Sequence, residues 1–149
     1  SINFFSKYVN KIYGFDSFEG LREDWAGNHK FQKSFFDLGG NIPKLESNVI
    51  PIKGWVQDTL DDFLTKEKPD ILFLHMDLDT YESSKYVLER VKPYLSGKCY
   101  ILFDNIYNHT GWKNGEYKAL TEVFDNNEYK YLAFSINSTQ ALIEFKKNR

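Results

Sequence analysis

Ile71-Leu72-Phe73-Leu74-His75-Met76-Asp77-Leu78-Asp79-Thr80-Tyr81 decides how the rest of the chain is read. Its first six residues are almost continuously apolar and stop at a carboxylate. A run of that length predicts a strand covered on both faces, the type found in parallel sheets. Beyond it the period changes. Val87, Leu88, Val91, Tyr94 and Leu95 recur at helical spacing over 81–94, and Pro93 and Gly97 mark the end. A second apolar run, 99–103, stops at Asp104. Strand, helix and strand in this order form a parallel crossover unit.

The same alternation extends both ways. Residues 11–15 read as a short strand ending at Asp16, and 48–53 as another, with Pro51 arguing for an edge position. A helix over 59–66 follows. Residues 115–124 place Leu120, Val123 and Phe124 on one helical face. The tail reads as strands 129–136 and 140–145 joined by Asn137-Ser138-Thr139, a join short enough for an antiparallel hairpin. Residues 21–46 read as a short helix within a long polar and aromatic surface segment. The expected architecture is one α/β domain over 1–149, mostly parallel, closed by an antiparallel carboxyl-terminal hairpin.

Composition removes several function classes. With 19 basic and 21 acidic side chains the formal charge is −2, and no basic stripe occurs, so neither nucleic acid nor an anionic membrane is an expected partner. No apolar run approaches the ~20 residues of a membrane span. A lone cysteine, Cys99, excludes an internal disulfide framework and a cysteine-based zinc site, and fits a reducing, cytoplasmic location. Aromatic residues at 17% exclude a disordered chain.

Ligands of open α/β sheets gather at the carboxyl ends of strands. Asp16, the segment from Gly54 to Asp58, Asp77 with Asp79, and Asp104-Asn105 all stand at such ends. Asp77 and Asp79 fall on one side if the strand continues to alternate, and two close carboxylates call for a cation or a shared proton. Asp77, Asp104 and Asn105 together offer three hard oxygen ligands, a set suited to Mg²⁺. The plainer alternative makes Asp79 a helix cap and Asp104-Asn105 a turn. Asp16 stands where an acidic residue takes ribose hydroxyls in nucleotide-type sites. Gly54 allows close backbone approach beside Trp55, whose ring either covers an adenine or packs in the core. His75 reads as a core histidine, and His29 and His109 as solvated. Phe31, Phe35 and Phe36 form either a core face or a lid.

In order along the chain, Tyr13-Gly14-Phe15-Asp16-Ser17-Phe18-Glu19-Gly20-Leu21, Lys53-Gly54-Trp55 with Asp58-Thr59-Leu60, His75-Met76-Asp77-Leu78-Asp79-Thr80-Tyr81-Glu82-Ser83-Ser84 and Phe103-Asp104-Asn105 resemble the macrocin O-methyltransferase family. Gly115-Glu116-Tyr117-Lys118-Ala119 is similar to the helix that follows the family's metal site. The resemblance implies a Rossmann-like class I methyltransferase fold and an S-adenosylmethionine-dependent transfer to a hydroxyl of a sugar or related small molecule. It implies that Asp16, with Ser17 beside it, holds the cofactor ribose, that Gly54, Trp55 and Asp58 line the adenine site, and that Asp77 borders the cofactor. It implies that Asp77, Asp104 and Asn105 hold Mg²⁺, and that Asp79 is the general base. Asn105 stands where the family usually has a second aspartate. That change keeps an oxygen and removes a charge.

The family's first strand and Gly-rich loop precede a segment like Ser1-Ile2-Asn3-Phe4-Phe5, where this sequence starts. The expectation is a sheet lacking its central first strand, repaired by direct pairing of the strands ending at Asp16 and Asp77 or by association with a second copy. Weak or absent S-adenosylmethionine affinity and methyl transfer by this chain alone follow from the same expectation. A folded but non-catalytic methyltransferase-like domain is the alternative function. A phosphotransferase or glycosyltransferase built on Asp77-x-Asp79 leaves Asp16 and Gly54 unexplained.

Overall fold

The computed structural model describes residues 1–22 and 36–147. A short helix, α1 (Ile2–Phe5), leads into β1 (Ile12–Asp16), and β2 (Val49–Lys53) runs into α2 (Val56–Glu67). The crossover read from the sequence follows as β3 (Ile71–Met76), α3 (Tyr81–Val91) and β4 (Leu95–Phe103). α4 (Glu116–Val123), β5 (Tyr129–Phe134) and β6 (Ala141–Lys146) complete the described elements. The helix expected within 21–46, and Phe31, Phe35 and His29 with it, lie outside the described residues.

β1 pairs with β2 in parallel, and the other four strands lie in the order β3-β4-β6-β5. β3 and β4 are parallel, and β6 runs antiparallel to both its neighbours. The expected α/β architecture with its antiparallel closing hairpin is therefore present. Pro51 sits in β2, an outer strand, where a missing N–H is tolerated.

The core lies between one face of the sheet and the helices. Cys99, Ile101 and Phe103 of β4 and Ala141, Ile143 and Phe145 of β6 alternate onto that face. Leu60 and Leu64 of α2, Val87, Leu88 and Val91 of α3, and Ala119 and Leu120 of α4 cover it. Fully burying side chains of this size stabilises by about 1.5–3 kcal/mol each. Burial also pushes the Cys99 thiol up to about 12, so this group takes no part in thiolate chemistry at neutral pH.

Three expectations need correction. Gly97 does not end the preceding helix. Lys92–Tyr94 is a 3₁₀ turn containing Pro93, and the strand already starts at Leu95, which pairs with Ile71. β3 is also not covered on both faces, since Leu72 is 63% exposed and Phe73 37%. The expected direct pairing of the strands ending at Asp16 and Asp77 is absent as well: β1 pairs with β2 and β3 with β4, in two separate sheets. Instead α1 touches both strands. Ile2 lies over Gly14 of β1, where a Cβ would collide with it, and the Phe5 ring packs on Phe73 and His75 of β3 at 5.3 and 5.0 Å between centroids. Asn48 anchors this amino-terminal segment by donating to the carbonyls of Ser6 and Val9, both at 2.8 Å. Among the described residues no helix is long and apolar enough to cross a membrane.

Candidate active site

The carboxyl ends of β1, β3 and β4 open into one cleft of about 450 Å³, with Phe15, Asp16, Gly54, Trp55, Asp77 and Asp79 among its lining residues. Parallel strands cause this convergence. Each ends on the same side, so the residue after each last hydrogen-bonded position points into shared space. Asp104 closes the set, since its N–H donates to Met76 O at 2.9 Å and so carries the ladder one step past Phe103.

On the β1 side, Asp16 Oδ1 accepts from the Phe18 N–H at 2.8 Å, and Ser17 Oγ accepts from the Glu19 N–H at 3.1 Å. Each side chain thus closes a tight turn. Phe18 has φ 59° and Gly20 φ 82°, which reverses the chain at once and leaves Asp16 at the rim. Gly54 N–H donates to Asp16 O, so β2 delivers Gly54 beside Asp16. Its φ of 135° and a space only 2.9 Å from Thr59 Cγ2 leave no room for a side chain there.

Trp55 holds the position before α2 and is half-buried on the cleft wall, rather than in the core. The Arg22 guanidinium lies over its ring, 4.9 Å from the centroid, and pairs with Asp58 at 2.7 Å. Asp58 itself is exposed on α2 and stands outside the cleft lining. It holds Arg22 over Trp55 instead of lining the site.

The β3–β4 side is acidic. Asp79 has φ 60°, a conformation unfavourable for a residue with a side chain, and Thr80 rather than Asp79 occupies the cap position of α3. Asp79 Oδ1 accepts from Asn105 Nδ2 at 2.9 Å. The same amide donates to Asp104 Oδ2 at 3.4 Å, Gln140 Nε2 donates to Asp104 Oδ1, and Thr139 Oγ1 donates to Asp104 O at 2.6 Å and to Asn105 Oδ1 at 3.3 Å. Burial first, then the charges of Asp77 and Asp104, pushes the Asp79 carboxyl up to about 7. Loss of water around Asp77, then Asp104, pushes that carboxyl up to about 6, although Asp77 remains open to solvent on one side.

Below the cluster lies Glu116, fully buried at the start of α4. Its Oε2 accepts from the Asn105 N–H at 3.0 Å, and its Oε1 has no hydrogen bond among the described residues. Burial pushes its carboxyl up to about 8. Asp77, Asp104 and His75 place one possible ligand atom each within 4.8 Å of one another. Asp77 and Asp104 stand together as the sequence implied. Asn105 is adjacent, but its amide is turned toward the carboxylates as a donor.

Sequence reasoning brought Asp16, Gly54, Trp55, Asp77, Asp79, Asp104 and Asn105 to one place. It missed Arg22, Gln140 and Glu116. Of these only Glu116 carried a signal in the sequence, as an acid in helical register with the apolar Ala119, Leu120 and Val123.

Residues 4–106 match the family described as "Methyltransferase domain". No curated protein matches the chain in sequence. Among solved structures, a calicheamicin methyltransferase, CalS11, is similar with a TM-score of 0.71 and 22% identity over 95% of this chain and 63% of that one. Its apo form, described as a TDP-rhamnose 3′-O-methyltransferase of calicheamicin biosynthesis, gives 0.62 and 21% over 95% and 61%. The O-methyltransferase NovP gives 0.62 and 22% over 92% and 60%. The chain thus spans less than two thirds of the length of these structures, and the likeness establishes the fold.

Proposed function

The chain belongs to the methyltransferase-domain family, and on that premise we propose that it carries an S-adenosylmethionine-dependent O-methyltransferase site for a hydroxyl of a sugar-like small molecule, assisted by a divalent cation, Mg²⁺ in the sequence reading. One observation carries the proposal: a rim carboxylate with an aromatic wall, Asp16 and Trp55, shares a cleft with three clustered carboxylates, Asp77, Asp79 and Asp104. A site for phosphate chemistry would instead gather basic side chains or a glycine-rich loop. The segments shared with macrocin O-methyltransferases, and the sugar substrate in the description of one structural neighbour, support a sugar-type acceptor.

The residues fit both groups. Asp16 keeps one carboxylate oxygen outside its turn hydrogen bond, in place for ribose hydroxyls. The Gly54 backbone and the Trp55 side chain, which carries the Arg22 guanidinium on one ring face, would line the adenine site. Asp77 and Asp104 would hold the cation. S-adenosylmethionine, when bound, supplies the electrophilic methyl group, and the cation, when bound, supplies Lewis-acid polarisation of the acceptor hydroxyl.

The chain's own contribution is positioning, water exclusion and one proton transfer. Asp79 has one oxygen held by Asn105 and the other without a hydrogen bond among the described residues. With its carboxyl raised to about 7, it is both ionised enough to accept a proton near neutrality and basic enough to take one. Asn105 and Gln140 fix the neighbouring carboxylates without adding charge. A methyl-transfer assay with hydroxylated nucleotide-sugars tests the reading. Wild type transfers label to an acceptor and Asp79→Asn transfers it at least about 10²-fold more slowly. Equal rates for both would remove Asp79 from the mechanism, and no transfer to any hydroxyl acceptor would remove the reaction.

A further inference from the structure

Neither the sequence reading nor the family assignment gives His75 a role beyond the core. Its placement says otherwise. His75 and Asp77 are two residues apart at the end of β3, so alternation brings them to one face. β4 runs parallel beside them with His75 opposite Leu102 and Met76 opposite Phe103, which sets Asp104 level with Asp77. Imidazole and both carboxylates therefore meet within 4.8 Å.

The hydrogen bonding around these three groups is uneven. Asp104 is held at both oxygens by the amides of Gln140 and Asn105. Neither ring nitrogen of His75 and neither carboxylate oxygen of Asp77 has a hydrogen bond among the described residues. The His75 ring packs against Phe5 and has given up water on that side, with no hydrogen bond to the described residues. The Asn105 carbonyl oxygen, by contrast, already accepts from Thr139. Two unpaired donor atoms beside one fixed carboxylate describe a seat for a cation with one nitrogen and two oxygen ligands.

We propose that His75 is a direct ligand in this centre, with Asp77 and Asp104, and that the centre therefore selects a first-row transition ion such as Mn²⁺ or Co²⁺ over Mg²⁺. Affinity for a site that includes nitrogen rises along the first row from Mn²⁺ to Co²⁺, whereas Mg²⁺ takes oxygen ligands and keeps its waters. In this arrangement Asn105 orients the carboxylates and is not itself a ligand. Phe5 packs against the imidazole ring. The inference rests on the cation-assisted reading given above and specifies which ion the site takes.

Calorimetric titration of the full chain with MnCl₂, CoCl₂ and MgCl₂ tests it, together with pulsed EPR of the Mn²⁺ complex for coupling to ligand nitrogen. Mn²⁺ and Co²⁺ are expected to bind at least about 10-fold more tightly than Mg²⁺. His75→Gln is expected to lose about 10-fold or more of that affinity, to leave Mg²⁺ within a few-fold, and to abolish the nitrogen coupling. His75→Phe, which keeps the ring packing on Phe5, repeats the test if the glutamine variant melts early by circular dichroism. Nitrogen coupling absent from the wild type, or Mn²⁺ affinity unchanged in a folded His75 variant, overturns the assignment of His75. If Asp77→Asn also leaves every cation's affinity unchanged, the cation site itself falls, and with it that part of the proposed function.

Discussion

The Asn105 amide donates to Asp79 at 2.9 Å and reaches Asp104 with the same nitrogen at 3.4 Å, so one uncharged side chain bridges two carboxylates. A carboxylate in its place would put a further negative charge among Asp77, Asp79 and Asp104. The amide instead supplies donors, and it holds Asp79 with its second oxygen directed to other use. This bridge ties together two of the three clustered acids at the end of two strands. The basicity of the group assigned as the base comes from burial first and then from the charges of Asp77 and Asp104.

Asn105→Asp is expected to raise the Asp79 carboxyl above its value of about 7, because a donor becomes a like charge. Methyl transfer by the wild type should rise with pH through about 7, since Asp79 accepts a proton only when ionised. The variant's rise should lie at higher pH. A pH–rate profile checks this, and a midpoint that moves down or stays fixed contradicts it.

Asp16→Ala and Trp55→Ala address the cofactor side. Losing hydrogen bonds from a charged group costs about 1.5–3 kcal/mol, so Asp16→Ala should weaken S-adenosylhomocysteine binding roughly 10- to 100-fold. Trp55→Ala should weaken it through lost stacking. Asp58→Ala, outside the cleft lining, should act only through Arg22 and change affinity by a few-fold at most. Titration calorimetry distinguishes the three.

Glu116 and Asp79 both have carboxyls raised above the unfolded range, to about 8 and about 7. Between the unfolded values near 4 and these folded ones, the folded protein holds protons that the unfolded chain has released. Stability from these groups is therefore full below about pH 4 and is lost as pH rises through 7 and 8. Glu116→Gln keeps an acceptor for the Asn105 N–H and removes the charge. It should make melting temperature less sensitive to pH between 6 and 9 and leave the variant the more stable at pH 9, by about 2–4 °C for each kcal/mol gained. Melting curves across that range check the sign.

The carboxylates at strand ends were legible because an apolar run stops abruptly at each, and parallel topology then brings the ends together without further information. Pro51 marked an outer strand for the same local reason. Gln140 and Arg22 were not legible, and Glu116 only as an acid in helical register with Ala119, Leu120 and Val123. Gln140 reaches Asp104 from the antiparallel hairpin and Glu116 reaches Asn105 from α4, so each depends on tertiary packing that no local period encodes. His75 was read as a core residue because it lies in an apolar run. What the run could not show is that, among the described strands, β3 pairs with β4 alone and that Phe5 of α1 packs on His75, which is half-buried beside Asp77.

Gly54→Ala tests the local geometry of the cleft. At φ 135° with Thr59 Cγ2 2.9 Å from the added carbon, the backbone must move. The change should destabilise by about 1–3 kcal/mol and weaken S-adenosylhomocysteine binding. Leu88→Ala, in the core and away from the cleft, should cost about 2–5 kcal/mol with binding retained in the folded fraction. Chemical denaturation beside calorimetry separates the two effects.

Amide and indole chemical shifts, followed while S-adenosylhomocysteine is added to the ¹⁵N-labelled chain, test the central claim most directly, because they detect binding even at millimolar dissociation constants. Saturable shifts at Asp16, Ser17, Gly54 and the Trp55 indole, lost in Asp16→Ala, are the expected result. Shifts that are absent at millimolar ligand, or that appear only at residues outside the cleft between β1 and β3, would contradict the assignment of this cleft to methyl transfer.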